Sequence, residues 1–163
     1  MHTNDLLHHV KFNRWATERL FQAAQALPVE QFSRDLGVSY QSVRGTLRHI
    51  YQADRIWFQR LIGQPTGSLD QYETPEELEA WKQDWETVHE RYLSWAESLG
   101  DADWDQVIPY RDVRGNPYQT PARQIILHLI NHNSYHPGQV AGLLRQLEQA
   151  PPTTDLIAYY RSL

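Results

Sequence analysis

Apolar residues recur every three to four positions over four long stretches of the chain, each bounded by polar or turn-forming residues. This spacing puts the apolar side chains on one face of an α-helix, so it predicts amphipathic helices that bury one side. We predict these helices at about Asp5–Ala26, Gln41–Ile62, Pro75–Leu99 and Thr120–Leu147. Four long helices joined by one long connection favour an all-α four-helix bundle, and 163 residues fit a single domain over 1–163.

Local residue chemistry marks the helix ends and the connections. Thr3 or Asn4 is placed to cap the first helix, and Thr74-Pro75-Glu76-Glu77 has the cap, proline and acidic residues that favour a helix start. Pro137 lies inside the fourth predicted helix, where proline removes one backbone hydrogen bond. With Gly138 it predicts a local irregularity just after His136.

Between the helices the periodic pattern stops. Leu27–Ser39 and Gly63–Tyr72 are predicted to be loops, because they carry glycine and proline and few periodic apolar residues. In the long connection we predict that Val107–Tyr110 pairs with Asn116–Gln119 as a small β-hairpin around Arg114-Gly115. Asp155–Arg161 is predicted to form a last short helix.

Composition excludes several classes of protein. The chain has no cysteine, so disulfide scaffolds, thiolate metal sites and cysteine nucleophiles are excluded, and any thiol chemistry needs an outside thiol. A net charge of -5 without a basic block argues against nucleic-acid binding. Charged residues interrupt the N-terminal region, so no apolar stretch resembles a signal peptide or a membrane span, and we predict a cytoplasmic protein without a membrane partner.

The stretch His128-Leu-Ile-Asn-His132-Asn-Ser-Tyr-His136 carries the strongest chemical signal. Imidazoles four residues apart on a helix face the same side and can bind one metal ion, with a third ligand from elsewhere, for which His49 is the candidate. His128 and His136 are about 12 Å apart along a helix, so they cannot both bind the same ion. Spacing therefore leaves two pairs open, and His132 belongs to both.

A set of short motifs, taken in order, resembles the DinB/YfiT-like family of metal-dependent enzymes. They are Asn13-Arg14-Trp15-Ala16, Gly45-Thr46-Leu47-Arg48-His49, Ala53-Asp54-Arg55-Ile56-Trp57 and His132-Asn-Ser-Tyr-His136-Pro-Gly-Gln139-Val140. The resemblance covers nearly the whole chain. The sequence departs from the commoner family pattern at Tyr135 and Pro137, where histidine and arginine are usual.

The resemblance implies a four-helix bundle with a three-histidine divalent metal site made by His49, His132 and His136, with His128 outside it. It also implies a homodimer and a reaction on a small-molecule substrate, either hydrolysis or transfer of a low-molecular-weight thiol. A non-catalytic bundle that binds a metal or ligand, or that forms a structural homodimer, is the alternative.

The identity of the metal and the catalytic groups stay open at this level. Three imidazoles suit several divalent ions, and we expect zinc or nickel ahead of iron, cobalt and manganese. Asp54 lies five residues beyond His49, about 140° away around the helix, so it is not an obvious base. No catalytic residue is therefore assigned, while Gln139 and Asn131 are candidates for supporting the metal ligands.

Overall fold

The computed structural model describes residues 3–64, 66 and 78–163, and this part of the chain is mostly helical. It contains α1 (Thr3–Gln25), α2 (Val29–Ser33), α3 (Val43–Leu61), α4 (Leu78–Glu97), β1 (Val107–Arg111), β2 (Pro117–Pro121), α5 (Ala122–Gln146) and α6 (Leu156–Tyr160). A single turn of 3-10 helix at Asp103–Asp105 precedes β1. The predicted all-α class with a small β-hairpin is confirmed. In the described ranges, every helix is too short or too polar to cross a bilayer.

The long helices follow the predicted stretches closely. α1 already begins at Thr3, so Thr3 and Asn4 belong to its first turn and do not precede it. α3 begins at Val43, directly after Ser42, whose Oγ accepts a hydrogen bond from the backbone N–H of Gly45 (3.0 Å) and so caps the helix. The predicted helix start at Thr74–Glu77 and most of the predicted loop 63–72 lie outside the described residues.

The predicted loop at Leu27–Ser39 is wrong in part, because it contains the short helix α2. Pro28 precedes this helix with φ -55°, an angle suited to a helix start, and Phe32 is its buried residue. Five residues are too few for a periodic apolar pattern, so a helix with a single buried side chain leaves no clear signal in the sequence.

The irregularity predicted just after His136 does not interrupt α5, which continues through Pro137 to Gln146. Proline costs the helix one hydrogen bond, and its fixed φ is compatible with helical backbone. The turns that follow are held by the buried residues Val140, Leu143 and Leu144.

The chain divides into two compact units, of which the first comprises residues 1–10 and 51–130. Its core contains aromatic and aliphatic side chains from α1, α3, α4, α5 and the hairpin: Leu6, Val10, Phe58, Leu61, Tyr92, Ala96, Trp104, Ile108, Ala122, Ile125, Ile126 and Leu129. β1 and β2 pair antiparallel with Tyr110 opposite Tyr118, and Gly115 takes the positive φ (+86°) that the turn requires. The predicted hairpin is thereby confirmed.

This first unit also buries a polar cluster. Asp54 is 5% exposed and accepts hydrogen bonds from Trp85 Nε1 (3.1 Å) and His89 Nε2 (3.3 Å). Burial, followed by the negative charge of Asp54, raises the pKa of Tyr92. Asp54 is therefore a buried hydrogen-bond acceptor inside this unit.

The second unit comprises residues 11–50 and 131–163. Phe12, Ala16 and Tyr159 form a small buried cluster that is extended by Trp15 and Leu156, and so α6 is fixed within this unit. The parts of α3 and α5 that belong here carry buried aliphatic residues: Val43, Leu47, Ile50, Val140, Leu143 and Leu144. These residues fix the faces of both helices and with them the directions of the polar side chains beside the buried stripes.

Candidate metal centre

Three histidines of the second unit lie together. His49 is in α3, and His132 and His136 are one turn apart in α5. The nitrogen atoms that they offer are all within 4.8 Å of one another, so the group can hold a metal ion. The ring centroids of His132 and His136 are 4.3 Å apart, as expected for side chains at i and i+4 on one helix face.

Two amide side chains orient the rings of His132 and His136. His132 Nδ1 lies 3.1 Å from Asn133 Oδ1, and His136 Nδ1 lies 2.8 Å from Gln139 Oε1. Because an amide oxygen can only accept a hydrogen bond, each Nδ1 donates and each Nε2 keeps its lone pair. This is the arrangement by which proteins fix the tautomer and direction of metal-binding histidines.

His49 brings its Nε2 to the same place. This atom lies 3.0 Å from His132 Nε2 and 3.0 Å from the Tyr40 hydroxyl oxygen. Since His132 donates through Nδ1 to an amide, its Nε2 lone pair faces His49 Nε2 at 3.0 Å, and either a proton on His49 Nε2 or a cation can lie between the two nitrogens. The cluster therefore directs the His132 Nε2 lone pair to the position that a metal ion would occupy.

A metal ion fits this cluster better than a proton does. Burial, followed by the charges of His132 and His136, lowers the pKa of His49 to about 4, so its ring is neutral at pH 7. Neutral imidazole is the form that binds metals. Nitrogens around one tetrahedral zinc ion stand about 3.3 Å apart, and adjacent octahedral ligands about 3.0 Å apart, which matches the 3.0 Å between His49 Nε2 and His132 Nε2.

The other residues considered from the sequence lie elsewhere. His128 is packed edge-on against Trp57, with ring centroids 5.0 Å apart, in the first unit. Asn131, which the sequence suggested as a supporting amide, is exposed. The amide that contacts His132 belongs to Asn133 instead. Gln139 does contact His136, as the sequence suggested. In the described residues the potential ligand group consists of the three histidines alone, without a carboxylate.

Tyr40 is a neighbour of the cluster that no motif in the sequence indicates. Its ring stacks on His49 with centroids 4.1 Å apart and an interplanar angle of 15°, and its edge meets His136. Burial, followed by the charge of Tyr135, raises the pKa of the Tyr40 phenol. Tyr40 lies in an irregular segment before α3, where no periodic pattern exists to mark a functional side chain. The only hint is Gly45, a glycine within the first turn of a helix.

An all-α fold with a cluster of three histidines that can hold a metal ion defines the class of this protein. The sequence model of the DinB family matches residues 1–162. The chain therefore belongs to the DinB family.

Two relatives illustrate the similarity. The chain is 22% identical to protein DinB of Bacillus subtilis (strain 168) over 156 residues, which covers 91% of this chain and 90% of that protein. Its fold is similar to that of a DinB-like protein from Bacillus cereus ATCC 10987, with a TM-score of 0.64 and 20% identity. That similarity covers 86% of this chain and 91% of the other. At this identity it shows a shared fold.

Proposed function

We propose that this protein is a metal-dependent enzyme in which His49, His132 and His136 bind a divalent metal ion, with zinc or nickel as the first candidates. Its substrate would be a small molecule, changed by hydrolysis or by transfer of a low-molecular-weight thiol. The observation that carries the proposal is the grouping of three ligand nitrogens, one from each histidine, within 4.8 Å of one another.

The chemistry follows from what such a site supplies. A divalent ion held by three neutral histidines acts as a Lewis acid with coordination positions left for a water, a thiol or a substrate oxygen. In either reaction the nucleophile, water or thiol, forms a bond to the electrophilic atom of the substrate while the leaving group departs. The proton of the nucleophile passes to the leaving group or to solvent. Because the chain has no cysteine, the thiol must be a separate molecule.

The protein's own residues prepare the site for this chemistry. Asn133 and Gln139 hold the Nδ1 atoms of His132 and His136, which keeps the Nε2 lone pairs of these two cluster histidines directed into the cluster. The lowered pKa of His49 keeps its ring neutral over the physiological pH range, so protons compete weakly with a metal ion there.

The test is a comparison of metal-loaded and chelator-treated protein in two assays. One mixes small thiols with a chromogenic electrophile, and the other uses activated esters. We expect a rate that depends on added zinc or nickel, disappears in His132→Ala and persists in His128→Ala, a matched histidine of α5 outside the cluster. Rates that are equal in metal-loaded and metal-free protein would refute the enzyme proposal.

A non-catalytic metal-binding bundle is the second candidate, and the position of Tyr40 favours it. Its hydroxyl lies within 3.0 Å of His49 Nε2, so this side chain covers one side of the cluster. A tightly bound metal without any rate in these assays would support this function. We also propose a homodimer, which light scattering of the eluted peak in gel filtration would test.

A further inference from the structure

The Tyr40 hydroxyl stands where a ligand would stand. Its oxygen is 3.0 Å from His49 Nε2, the same distance that separates His49 Nε2 from His132 Nε2. Two atoms bound to one ion of zinc size lie about 3.0–3.3 Å apart, because each metal–ligand bond is about 2.0–2.1 Å long. By this measure the phenol oxygen is as close to His49 Nε2 as His132 Nε2 is.

The backbone around Tyr40 is built to hold it there. Gln41 adopts a positive φ of +66°, which costs free energy for a residue with a side chain. Three backbone hydrogen bonds stabilise this turn: from the Leu36 N–H to the Gln41 carbonyl (2.7 Å), from the Gln41 N–H to the Val38 carbonyl (2.8 Å) and from the Ser42 N–H to the Tyr40 carbonyl (2.7 Å).

Gly45 completes this arrangement. A Cβ atom at position 45 would lie only 1.9 Å from the Tyr40 carbonyl oxygen, so only glycine lets the loop approach α3 this closely. Glycine inside a helix is itself unfavourable by roughly 0.5–1 kcal/mol relative to alanine. Gln41 and Gly45 thus each carry an unfavourable conformational free energy, and the backbone that they form places Tyr40 against His49.

The contacts of the Tyr40 ring fix the direction of its hydroxyl group. Tyr40 stacks on His49 at 4.1 Å and meets His136 edge-on at 5.6 Å, so the ring is fixed against two of the three cluster histidines. Phenylalanine could make the same ring contacts, and the feature it would lack is the oxygen beside His49 Nε2.

We propose that Tyr40 is a fourth protein ligand of the metal ion bound at His49, His132 and His136, a proposal that rests on the metal site of the proposed function. In the metal-free protein one proton joins the phenol oxygen and His49 Nε2 in a hydrogen bond of 3.0 Å. When a metal ion takes the place of that proton between the two atoms, the proton leaves to solvent and the oxygen binds as phenolate.

This ligand set has a consequence for the chemistry. Three histidines and a tyrosine fill a tetrahedral ion completely, so a four-coordinate metal would have no position for substrate. The catalytic form would therefore need a metal that accepts five or six ligands, such as nickel, cobalt or iron, or a zinc ion that expands to five ligands. A zinc ion that stays tetrahedral in the same set would be structural.

The experiment uses Cu²⁺ as a probe on the full-length chain, because Cu²⁺ binds nitrogen and oxygen sites tightly among the divalent first-row ions. A phenolate bound to Cu²⁺ gives a visible charge-transfer absorption that imidazole ligands do not give. Wild type is compared with Tyr40→Phe, which keeps the ring, and with Tyr135→Phe. Tyr135 is the matched control, because its ring touches His136 at a centroid distance of 5.0 Å while the side chain is 64% exposed.

We expect the band in wild type and Tyr135→Phe and its loss in Tyr40→Phe, together with zinc binding weakened by at least about tenfold in Tyr40→Phe. Copper binding in wild type without the band, a band that persists in Tyr40→Phe, or zinc affinity equal to wild type in that variant would overturn the tyrosine ligand and leave the histidine site standing. A wild type that binds neither ion would overturn both proposals.

Discussion

Replacing Gly45 by alanine should destabilise the protein and damage the metal site together. The added Cβ would meet the Tyr40 carbonyl oxygen at 1.9 Å and the Ser42 Oγ at 3.4 Å. Relief of the first contact needs a backbone shift of at least about 1 Å, and overpacking of this kind costs about 1–3 kcal/mol. Without the clash, glycine to alanine in a helix would stabilise by about 0.5–1 kcal/mol.

Gly142→Ala is the matched control, because Gly142 is also helical and a Cβ there would meet nothing within 4 Å. The helix gain is common to both variants, so the free energies of unfolding of the two metal-free variants, measured by urea denaturation, should differ by the clash alone, about 1–3 kcal/mol, with Gly142→Ala the more stable. Zinc affinity should fall in Gly45→Ala and stay at the wild-type value in Gly142→Ala, because only the first substitution moves Tyr40. Equal stability of the two variants would refute the close approach of the loop to α3.

Three further predictions concern protonation, burial and ligand orientation. In chelator-treated protein the folded state binds fewer protons at His49 than the unfolded chain does, since its pKa is about 4 against 6.5. The contribution of neutral His49 to the free energy of unfolding is therefore fully present above pH 6.5. We expect this free energy to fall by about 1–2 kcal/mol towards pH 4, a range that allows for the half-exposed ring. Urea titrations should show the fall in wild type and not in His49→Gln. Asp54→Leu removes the acceptor of Trp85 Nε1 and His89 Nε2 and should cost about 1–3 kcal/mol by the same assay, while Asp54→Asn, which keeps an oxygen, should cost less. Gln139→Leu should weaken zinc binding by about 10–100-fold in competition with a chromophoric chelator, because it frees His136 to rotate.

Each of these three predictions has an experimental outcome that would contradict it. A pH profile of His49→Gln that matches wild type would show that His49 is not the group responsible. Unchanged stability in Asp54→Leu would mean that the buried acceptor contributes nothing net. Wild-type zinc affinity in Gln139→Leu would show that the amide contact does not orient a ligand.

The fold could be predicted from the sequence where the pattern is long and periodic. α1, α3 and α5 each repeat the apolar spacing over five turns or more, so their existence and approximate bounds follow from the helical period. α2 could not be predicted, because five residues with Phe32 as the only buried side chain carry no period.

The candidate metal site, like the fold, could be predicted from the sequence only in part. Four-residue spacing places His132 and His136 on one face of α5, but choosing this pair over His128 and His132 needed the resemblance to a known family. Asn131 and Asn133 are two residues apart, about 160° of helical rotation, so a guess at the supporting amide had no secure basis. Tyr40 depends on a turn with a positive φ at Gln41, a tertiary feature without a sequence signature.

The central claim is that His49, His132 and His136 bind one metal ion, and metal content measures it most directly. Untagged protein would be incubated with zinc or nickel, desalted and subjected to elemental analysis beside His49→Ala, His132→Ala and His136→Ala, with His128→Ala as the control. We predict near-stoichiometric metal in wild type and His128→Ala and its loss in each of the three cluster variants. A wild type that takes up no metal, or cluster variants that keep it, would contradict the claim.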